Sequence, residues 1–584
     1  MWYKLVKIVA KEKEGEQRNQ TELVWPDKKT TVDRVILPFQ TIETANEPRE
    51  KTLSSWTESQ KTEWKNKLIW GDNKLIMSSL LKDFAGKINL IYIDPPFASG
   101  QDFSIQVDVG DNEIVKEQTI IEEKVYRDTW GKGLQSYLQM MYDRLVLMKE
   151  LLAEKGSIYV HVDRRVNSYI RVILDEIFGD KNLINEIIWH YDQGTRPKTA
   201  FGHKHDTIFR YAKNPDDYIF NAKDILVPFE SGMTKWRYTV GGQKGKEMPE
   251  GKIPSDVWNI KLNAMSLEHI GYPTQKPEEL LKKIVISSSN KNDLVADFFC
   301  GSGTTGAVAE KLNRKWVMAD LSKFAIHTTR KRLLDIPGCK PFEILNLGNY
   351  EKQKFIEIGN GNRGDYLKFI LALYRAQRLT GYSLLHGRKG SNIVHIGNVD
   401  SVVTLQEIKD AVKECSSMGG KYIDILGWDF EMGLHDVVDE VGEEFGVKIK
   451  LVQIPREALE INDPTKQEVK FFDLNFLELD HKTEGRKVIV SLKQFIIANP
   501  EYIPDEVKEK IKKFTDYIDY WAVDFDFKND AFHNQRQSFR SKKHPKLETQ
   551  MGYTYEKLGK YRILIKVIDI FGNDTNKIID VSVK

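Results

Sequence analysis

Asp94-Pro95-Pro96-Phe97 follows an apolar run, Leu90-Ile91-Tyr92-Ile93, that reads as a buried strand. Two successive prolines cannot extend a strand ladder, because each lacks an N–H and fixes its own φ. The chain therefore leaves the strand with a carboxylate held on a stiff corner. For the tetrapeptide alone, an ordinary turn with a solvated Asp is an equal reading, so the rest of the chain has to decide. A second stretch, Asp297 to Thr305, reads DFFCGSGTT. A strand ends at Asp297, and Cys300, Gly301, Ser302, Gly303 and Thr304 turn the chain into a helix. Glycines let a ligand approach the backbone, and a helix N-terminus offers N–H groups. The turn lacks both the Lys-Ser/Thr ending of a P-loop and the Gly-x-Gly-x-x-Gly spacing of dinucleotide sites. The next strand ends at Asp320, where an acid can accept both hydroxyls of a ribose; by itself Asp320 also reads as a solvated strand end. A third stretch, Gly71-Asp72-Asn73, closes another strand with an acid and an amide, a pair able to read a purine edge.

These positions gain meaning from the elements that carry them. From residue 65 onward, strand-like and helix-like segments alternate. NKLIWGD, KINLIYID, SIYVHVD, LINEIIWHY, DLVAD and KWVMAD read as strands. NKLIMSSLLKDF, SYLQMMYDRLVLMKELLAEKG with Gly156 as its C-cap, VNSYIRVILDEIF and TQKPEELLKKIVISSS, opened by Pro277, read as amphipathic helices. Strands separated by helices imply βαβ units and a mostly parallel sheet. Acids at three strand ends (Asp72, Asp94, Asp320) and glycines at a fourth then gather at one edge, because open α/β sheets bind ligands at the carboxyl ends of their strands.

The reading divides the chain into an extended N-terminal arm (1–64), an α/β domain (65–338), a second, smaller α/β unit (339–464) and a β-rich terminal domain (465–584). The last closes on an antiparallel hairpin around Gly572-Asn573-Asp574. A length of 584 residues exceeds a single core. Hydrophobic content of 41% excludes a disordered chain, and no apolar run approaches a membrane span. Three cysteines in no metal-like spacing, and lysines that break the N-terminal apolar stretch, imply a cytoplasmic protein without a signal peptide. The net charge of +2 leaves partners open, but three basic stretches with interleaved aromatics (195–206, 234–246, 534–546) suit a phosphate backbone and exposed bases. Each of these also reads as a solvated surface loop. His203, His205 and Asp206 match no standard metal spacing and read as a surface turn.

Taken together, DPPF, the later DFFCGSGTT, the preceding GDN, YPTQKPEELL at 272–281 and ADLS at 319–322 resemble the amino-group DNA methyltransferases that use S-adenosylmethionine. The resemblance is to the subgroup whose catalytic motif precedes the cofactor motif, and within it to modification (Mod-like) subunits of type III restriction systems. It spans residues 65 to 335. Phe298 stands where that family usually has proline. The resemblance implies a Rossmann-like class I methyltransferase domain with permuted motif order.

The same resemblance implies that Asp94, Pro95, Pro96 and Phe97 form the catalytic corner. Hydrogen bonds from a target amino group to the Asp94 carboxylate and the Pro95 carbonyl would favour a tetrahedral nitrogen, with Phe97 stacking on a flipped-out base. Asp297, Phe299, Cys300, Gly301, Gly303 and Thr304 would line the methionine end of the cofactor. Asp320 would take its ribose, Asp72 and Asn73 its adenine, and Gln275, Lys276 and Pro277 its carboxylate end; for Lys276 the alternative is a surface lysine at a helix start. Target recognition would fall in residues 190–271, with Arg196, Lys198, Lys204, Lys235, Arg237 and Lys244 touching DNA. The segment 101–133 reads as a lid over the base or as a surface insertion. The implied activity is methyl transfer to adenine N6 in the modification component of a restriction or defence system. Transfer to cytosine N4, action on RNA or a protein glutamine, and a catalytically silent recognition subunit are the alternatives. A homodimer and a separate restriction or helicase subunit are the expected partners besides DNA, with no metal and no membrane.

Overall fold

The computed structural model describes residues 21–47, 64–96, 105–109, 112–116, 133–191, 197–228, 251–261, 268–272, 274–348, 363–399, 401–431, 434–455, 458, 471–498, 500, 503, 505–528, 530–541, 544 and 546–584. Its largest element is a mixed sheet. The strands are β1 (Phe39–Ala45), β2 (Asn66–Trp70), β3 (Ile88–Ile93), β6 (Leu152–Val162), β7 (Leu183–His190), β8 (His205–Ala212), β9 (Val257–Asn259), β10 (Leu294–Asp297), β11 (Lys315–Asp320) and β12 (Phe342–Leu347). A separate hairpin, β4 (Ile105–Val109) with β5 (Asn112–Lys116), lies in the segment after the proline corner. The sheet order is β1-β12-β2-β11-β10-β3-β6-β8-β7-β9, and residues Phe532–Asn534 add an edge strand outside β1.

The six strands from β12 to β6 run parallel. β8 then pairs antiparallel to β6. Helices α1 (Asn73–Phe84), α2 (Leu134–Leu151) and α3 (Asn167–Phe178) cover one face, and α4 (Glu278–Ser288), α5 (Thr304–Lys311) and α6 (Lys323–Leu334) the other. The strands bury both faces by alternation. Ile91, Ile93, Ala296, Val317 and Ala319 join the first core, and Leu90, Tyr92, Val295, Trp316 and Met318 the second. Two-sided burial explains why these segments read as continuous apolar runs. Each such side chain contributes about 1.5–3 kcal/mol by leaving water.

The chain leaves β10 through α5 toward β11 on one side, and leaves β3 through α2 toward β6 on the other. The switch point therefore lies between β3 and β10, which pair directly through Leu90 and Ala296 with their neighbours. Asp94 and the Asp297–Gly303 turn sit at their carboxyl ends, where this architecture opens a crevice. The fold is the Rossmann-like α/β domain with the half that carries Asp94 ahead in sequence of the half that carries the glycine turn.

Three local expectations change. Phe39–Ala45 is not part of an extended arm; it pairs antiparallel with β12 inside the sheet. Its inner residues Glu43 and Thr44 are buried but polar, so no apolar alternation advertises the strand. β12 lies beyond the boundary drawn at 338 and is parallel to β2. Gly156 is no helix cap: α2 ends at Leu151, and Gly156 lies within β6, where a Cβ would come 3.0 Å from the Asn89 carbonyl oxygen.

Beyond this domain, Asn392–Ile396, Tyr422–Gly427 and Lys448–Gln453 form the parallel centre of a six-stranded sheet, with helices Leu405–Ser417 and His435–Phe445. This is the second α/β unit. The terminal part packs a three-stranded sheet against a four-stranded one around Val488, Val490, Trp521, Val523, Ile563 and Ile565, and its last two strands are the expected hairpin. It docks on α6. Fully buried Glu43 meets Lys566 at 3.1 Å and Arg330 at 3.4 Å, and Asp519 meets His327 and Lys331, each at 2.7 Å.

Candidate active site

β3 ends at Ile93, and the next residue, Asp94, points its carboxylate into the crevice region beside buried Pro95. Its Oδ2 accepts a hydrogen bond from Lys276 Nζ; the two side chains are 16% and 12% exposed. Its Oδ1 is buried and has no partner. Among the described residues it is the one carboxylate oxygen in that condition. Buried acceptors are nearly always paired, so an unpaired one calls for an explanation. Phe97 lies outside the described residues.

On the other side of the switch point, buried Asp297 holds the glycine turn together. Its Oδ2 accepts from Thr305 Oγ1 at 2.6 Å and its Oδ1 from the Phe299 N–H at 3.0 Å. Burial, helped by the charges of Asp94 and Asp320, pushes its carboxyl up to about 7 despite those bonds. Asp320 at the end of β11 also serves the turn, accepting from the Gly301 N–H at 2.8 Å and the Ser322 N–H at 2.9 Å. Gly301 has φ +48° and a Cβ there would press on the Tyr272 ring at 3.4 Å; at Gly303, φ +71°, it would strike Thr329 at 2.6 Å. Only glycine fits that second position. Cys300 is buried, and burial pushes its thiol up, so it packs the turn as an inert side chain. Thr304 Oγ1 donates to the Lys276 carbonyl at 3.2 Å and accepts from Arg332 Nη1 at 2.9 Å.

Several other expected residues brace the elements around the turn. Asp72 caps α1 by accepting from the Lys74 N–H at 2.8 Å, and it meets Arg144 at 3.4 Å. Asn73 donates to the Phe298 carbonyl at 2.9 Å and accepts from Arg144 Nε, so it stitches α1 to the end of β10. Gln275 braces its own loop, donating to the Glu268 carbonyl at 2.7 Å and accepting from the Ile270 N–H at 3.0 Å. Pro277 is the N-cap of α4. The Lys276 ammonium is on Asp94.

The residues not foreseen are those that hold the strand ends from a distance. Arg332 joins Thr304 to Glu278 at 3.0 Å, and Arg144 links Asp72 to Asn73. Behind the corner runs a buried polar chain: Tyr92 hydroxyl to His161 Nδ1 at 2.9 Å, His161 Nε2 to Asp206 Oδ2 at 3.3 Å, and Tyr191 hydroxyl to Asp206 Oδ1 at 3.2 Å. Asp206 therefore belongs to a strand and its buried partners, not to a surface turn. Tyr92 inside the otherwise aliphatic run Leu90–Ile93 was the available signal. Because Val162 at the end of β6 faces Thr207 near the start of β8, the loop before β8 lies at the same sheet end as Asp94. That loop carries exposed Lys198, half-buried Lys204 and Phe201, which is 96% exposed. Arg196, Lys235, Arg237 and Lys244 lie outside the described residues.

Residues 88–331 match the N6/N4 DNA methylase family model. The Type II methyltransferase M.EcaI of Enterobacter cloacae is 31% identical over 329 residues, which cover 46% of this chain and 69% of that protein. The chain belongs to the N6/N4 DNA methylase family. The methylase is also similar to the DNA adenine methyltransferase YhdJ of Escherichia coli (28% over 270 residues, 46% of this chain and 82% of that one). It resembles the Mod subunit of the Escherichia coli type III restriction-modification enzyme EcoP15I (29% over 192 residues, 31% and 29%). Its activity is DNA methyl transfer and its cofactor is S-adenosylmethionine. The residues present fit that group. A glycine turn with positive φ opens into the N-terminus of α5 at the switch point, bounded by the Asp320 carboxylate and the Tyr272 ring. Among the described residues no helix is long and apolar enough to cross a membrane, and no cluster of His, Cys, Asp and Glu could hold a metal.

Proposed function

We propose that the methylase modifies adenine at N6 in DNA, as the modification component of a restriction or defence system. The observation that carries this reading is the buried, unpartnered Oδ1 of Asp94 on a proline-locked corner. An exocyclic amino group has two N–H donors and a lone pair drawn into the ring. With one N–H given to Asp94 Oδ1 and the other to the Pro95 carbonyl, the nitrogen is held near tetrahedral and its lone pair is freed and aimed. A base inside a duplex cannot reach this corner, so the target is flipped out.

The turn from Asp297 to Thr304, with Asp320 and Tyr272, would hold S-adenosylmethionine, which when bound supplies an electrophilic methyl on sulfur. Once nitrogen carries the methyl its proton is acidic, so Asp94 need only accept it or pass it to water. Asp at the first position of the corner, together with similarity to an enzyme named as an adenine methyltransferase, favours adenine over cytosine N4. The loop of Lys198, Phe201 and Lys204 suits contact with the phosphate backbone and exposed bases beside the corner. Similarity to a Mod subunit favours a separate restriction subunit, and a homodimer would widen the DNA contact.

The test is transfer of labelled methyl to unmodified duplex DNA, followed by nucleoside digestion. N6-methyladenine that disappears with Asp94→Ala supports the reading, and N4-methylcytosine replaces it with the cytosine alternative. Absence of transfer from a chain that binds the cofactor points to a recognition subunit.

A further inference from the structure

We propose that Lys276 is a positioning residue for the reaction, holding the Asp94 carboxylate so that its second oxygen faces the incoming amino group. This rests on the amino-group chemistry proposed above. Motif order would assign Lys276 to the cofactor. The geometry points elsewhere: its ammonium binds Asp94 Oδ2, on a residue 182 positions away in sequence. Both side chains are largely buried, so the pair is shielded from solvent exchange.

The lysine backbone is itself fixed. The Lys276 carbonyl accepts from Thr304 of the glycine turn at 3.2 Å, and Pro277 caps α4 immediately after it. Glu278, one residue further, is bound by Arg332 at 3.0 Å and by Lys311 at 2.6 Å. Burial works to raise the Glu278 carboxyl, but those cations win and hold it below its ordinary value, so the anchor stays charged. A rigid stem thus delivers the ammonium to one oxygen of Asp94. With Oδ2 pinned, rotation of the carboxyl is blocked and Oδ1 is the acceptor left for a substrate.

Charge gives a second reason. Asp94 faces Asp297 from β10, and Tyr92 beside it on β3 and Tyr137 on α2 also feel its charge. Asp206, from β8, is held below its ordinary value against burial by His161 and by the Lys276 charge. Lys276 therefore acts on two carboxylates, Asp94 and Asp206, and is the cation that touches Asp94. Without it Asp94 Oδ2 loses the donor that pins it, and the carboxyl is free to turn.

The arrangement also joins the two halves of the site. The cofactor turn is bonded to the Lys276 backbone, and the Lys276 side chain is bonded to the catalytic carboxylate. A shift of the turn is therefore passed to Asp94 through one residue.

The experiment compares wild type, Lys276→Met and Lys276→Arg in cofactor affinity by titration calorimetry and in methyl transfer at saturating cofactor across pH. Circular dichroism and melting confirm that each variant folds. The expected result for Lys276→Met is a cofactor Kd within about threefold of wild type and a kcat lower by about 10²-fold. The acid limb of its kcat profile should move toward neutral pH. Lys276→Arg, which keeps the charge, should recover part of the rate and return the limb. A large rise in cofactor Kd with kcat retained at saturation would overturn the proposal in favour of a cofactor carboxylate contact. Equal loss in both variants with an unmoved pH profile would reduce Lys276 to a packing role. A wild type that transfers no methyl to any amino group would instead overturn the functional reading on which the proposal rests.

Discussion

The corner at Asp94 and the seam between α6 and the terminal β unit both bury carboxylates, yet they treat them in opposite ways. At the seam, Glu43 uses one oxygen for Lys566 and Arg330 and the other for Tyr520, and both oxygens of Asp519 are occupied by His327 and Lys331. The groups left without a partner there are Nε and Nη1 of Arg330, Nδ1 of His327 and Oδ1 of Asn534, none of them a carboxylate oxygen. Burial raises Glu43 and Asp519, but the surrounding cations win and hold both below their ordinary values. At the corner, Asp94 keeps one oxygen open, and across the switch point Asp297 is pushed up by burial and by the charges of Asp94 and Asp320. A saturated carboxylate fastens two parts of a molecule together. One with an oxygen to spare can take a further donor.

The contrast is broken most sharply by Asp94→Ala, expected to reduce methyl transfer on the order of 10³-fold while leaving the melting temperature within a few degrees. A large loss of stability with modest loss of rate would make the corner structural. The converse change is Glu43→Gln. It leaves the buried Lys566 and Arg330 charges to Asp574 alone of their carboxylate partners among the described residues, 3.9 Å from Lys566, and should cost about 3 kcal/mol in denaturant unfolding, with transfer by the folded fraction retained.

Opposite pH signatures sharpen the comparison further. Burial, opposed by the Asp519 hydrogen bond and aided by Arg330 and Lys331, lowers His327 to about 4, below its unfolded value. The folded chain then binds fewer protons than the unfolded one between about pH 4 and 6.5, so the His327 contribution rises with pH through that window. Asp297, raised to about 7, binds a proton more readily when folded, so its contribution falls as pH rises from about 4 to 7. Each slope amounts to a few kcal/mol at most, about 1.4 per pH unit of displacement. Stability measured against pH should lose the rising part in His327→Gln and the falling part in Asp297→Asn. Curves that change in the same direction would remove the distinction. The smallest effect belongs to Lys198→Ala, expected to weaken DNA binding a few-fold and to reduce the salt dependence of log K by about one phosphate contact. An unaltered salt slope would take that loop off the DNA.

Much of the catalytic domain was legible because its signals are local. Prolines that stop a strand, glycines that turn into a helix and acids one residue past an apolar run each report on a few consecutive positions. The amphipathic helices and the terminal hairpin announced themselves by period. β1 did not, because its buried residues include polar Glu43 and Thr44, and the Glu43 charge is met by Arg330 and Lys566, hundreds of residues away. Asp72, expected at the cofactor's adenine, also caps a helix; both uses call for the same residue at the same place.

The amino-acid order by itself therefore determined the alternation that builds the sheet, the acidic and glycine-rich strand ends, and the proline corner, since each depends on neighbours in the chain. Only the tertiary structure decided which oxygen of Asp94 is taken and which is open, that Lys276 is the residue that takes it, and that β1 and the terminal unit are fastened to α6. Those outcomes depend on pairings between charges that are remote in sequence and interchangeable in type. No local pattern selects one lysine among many for one carboxylate until the fold has brought them within reach.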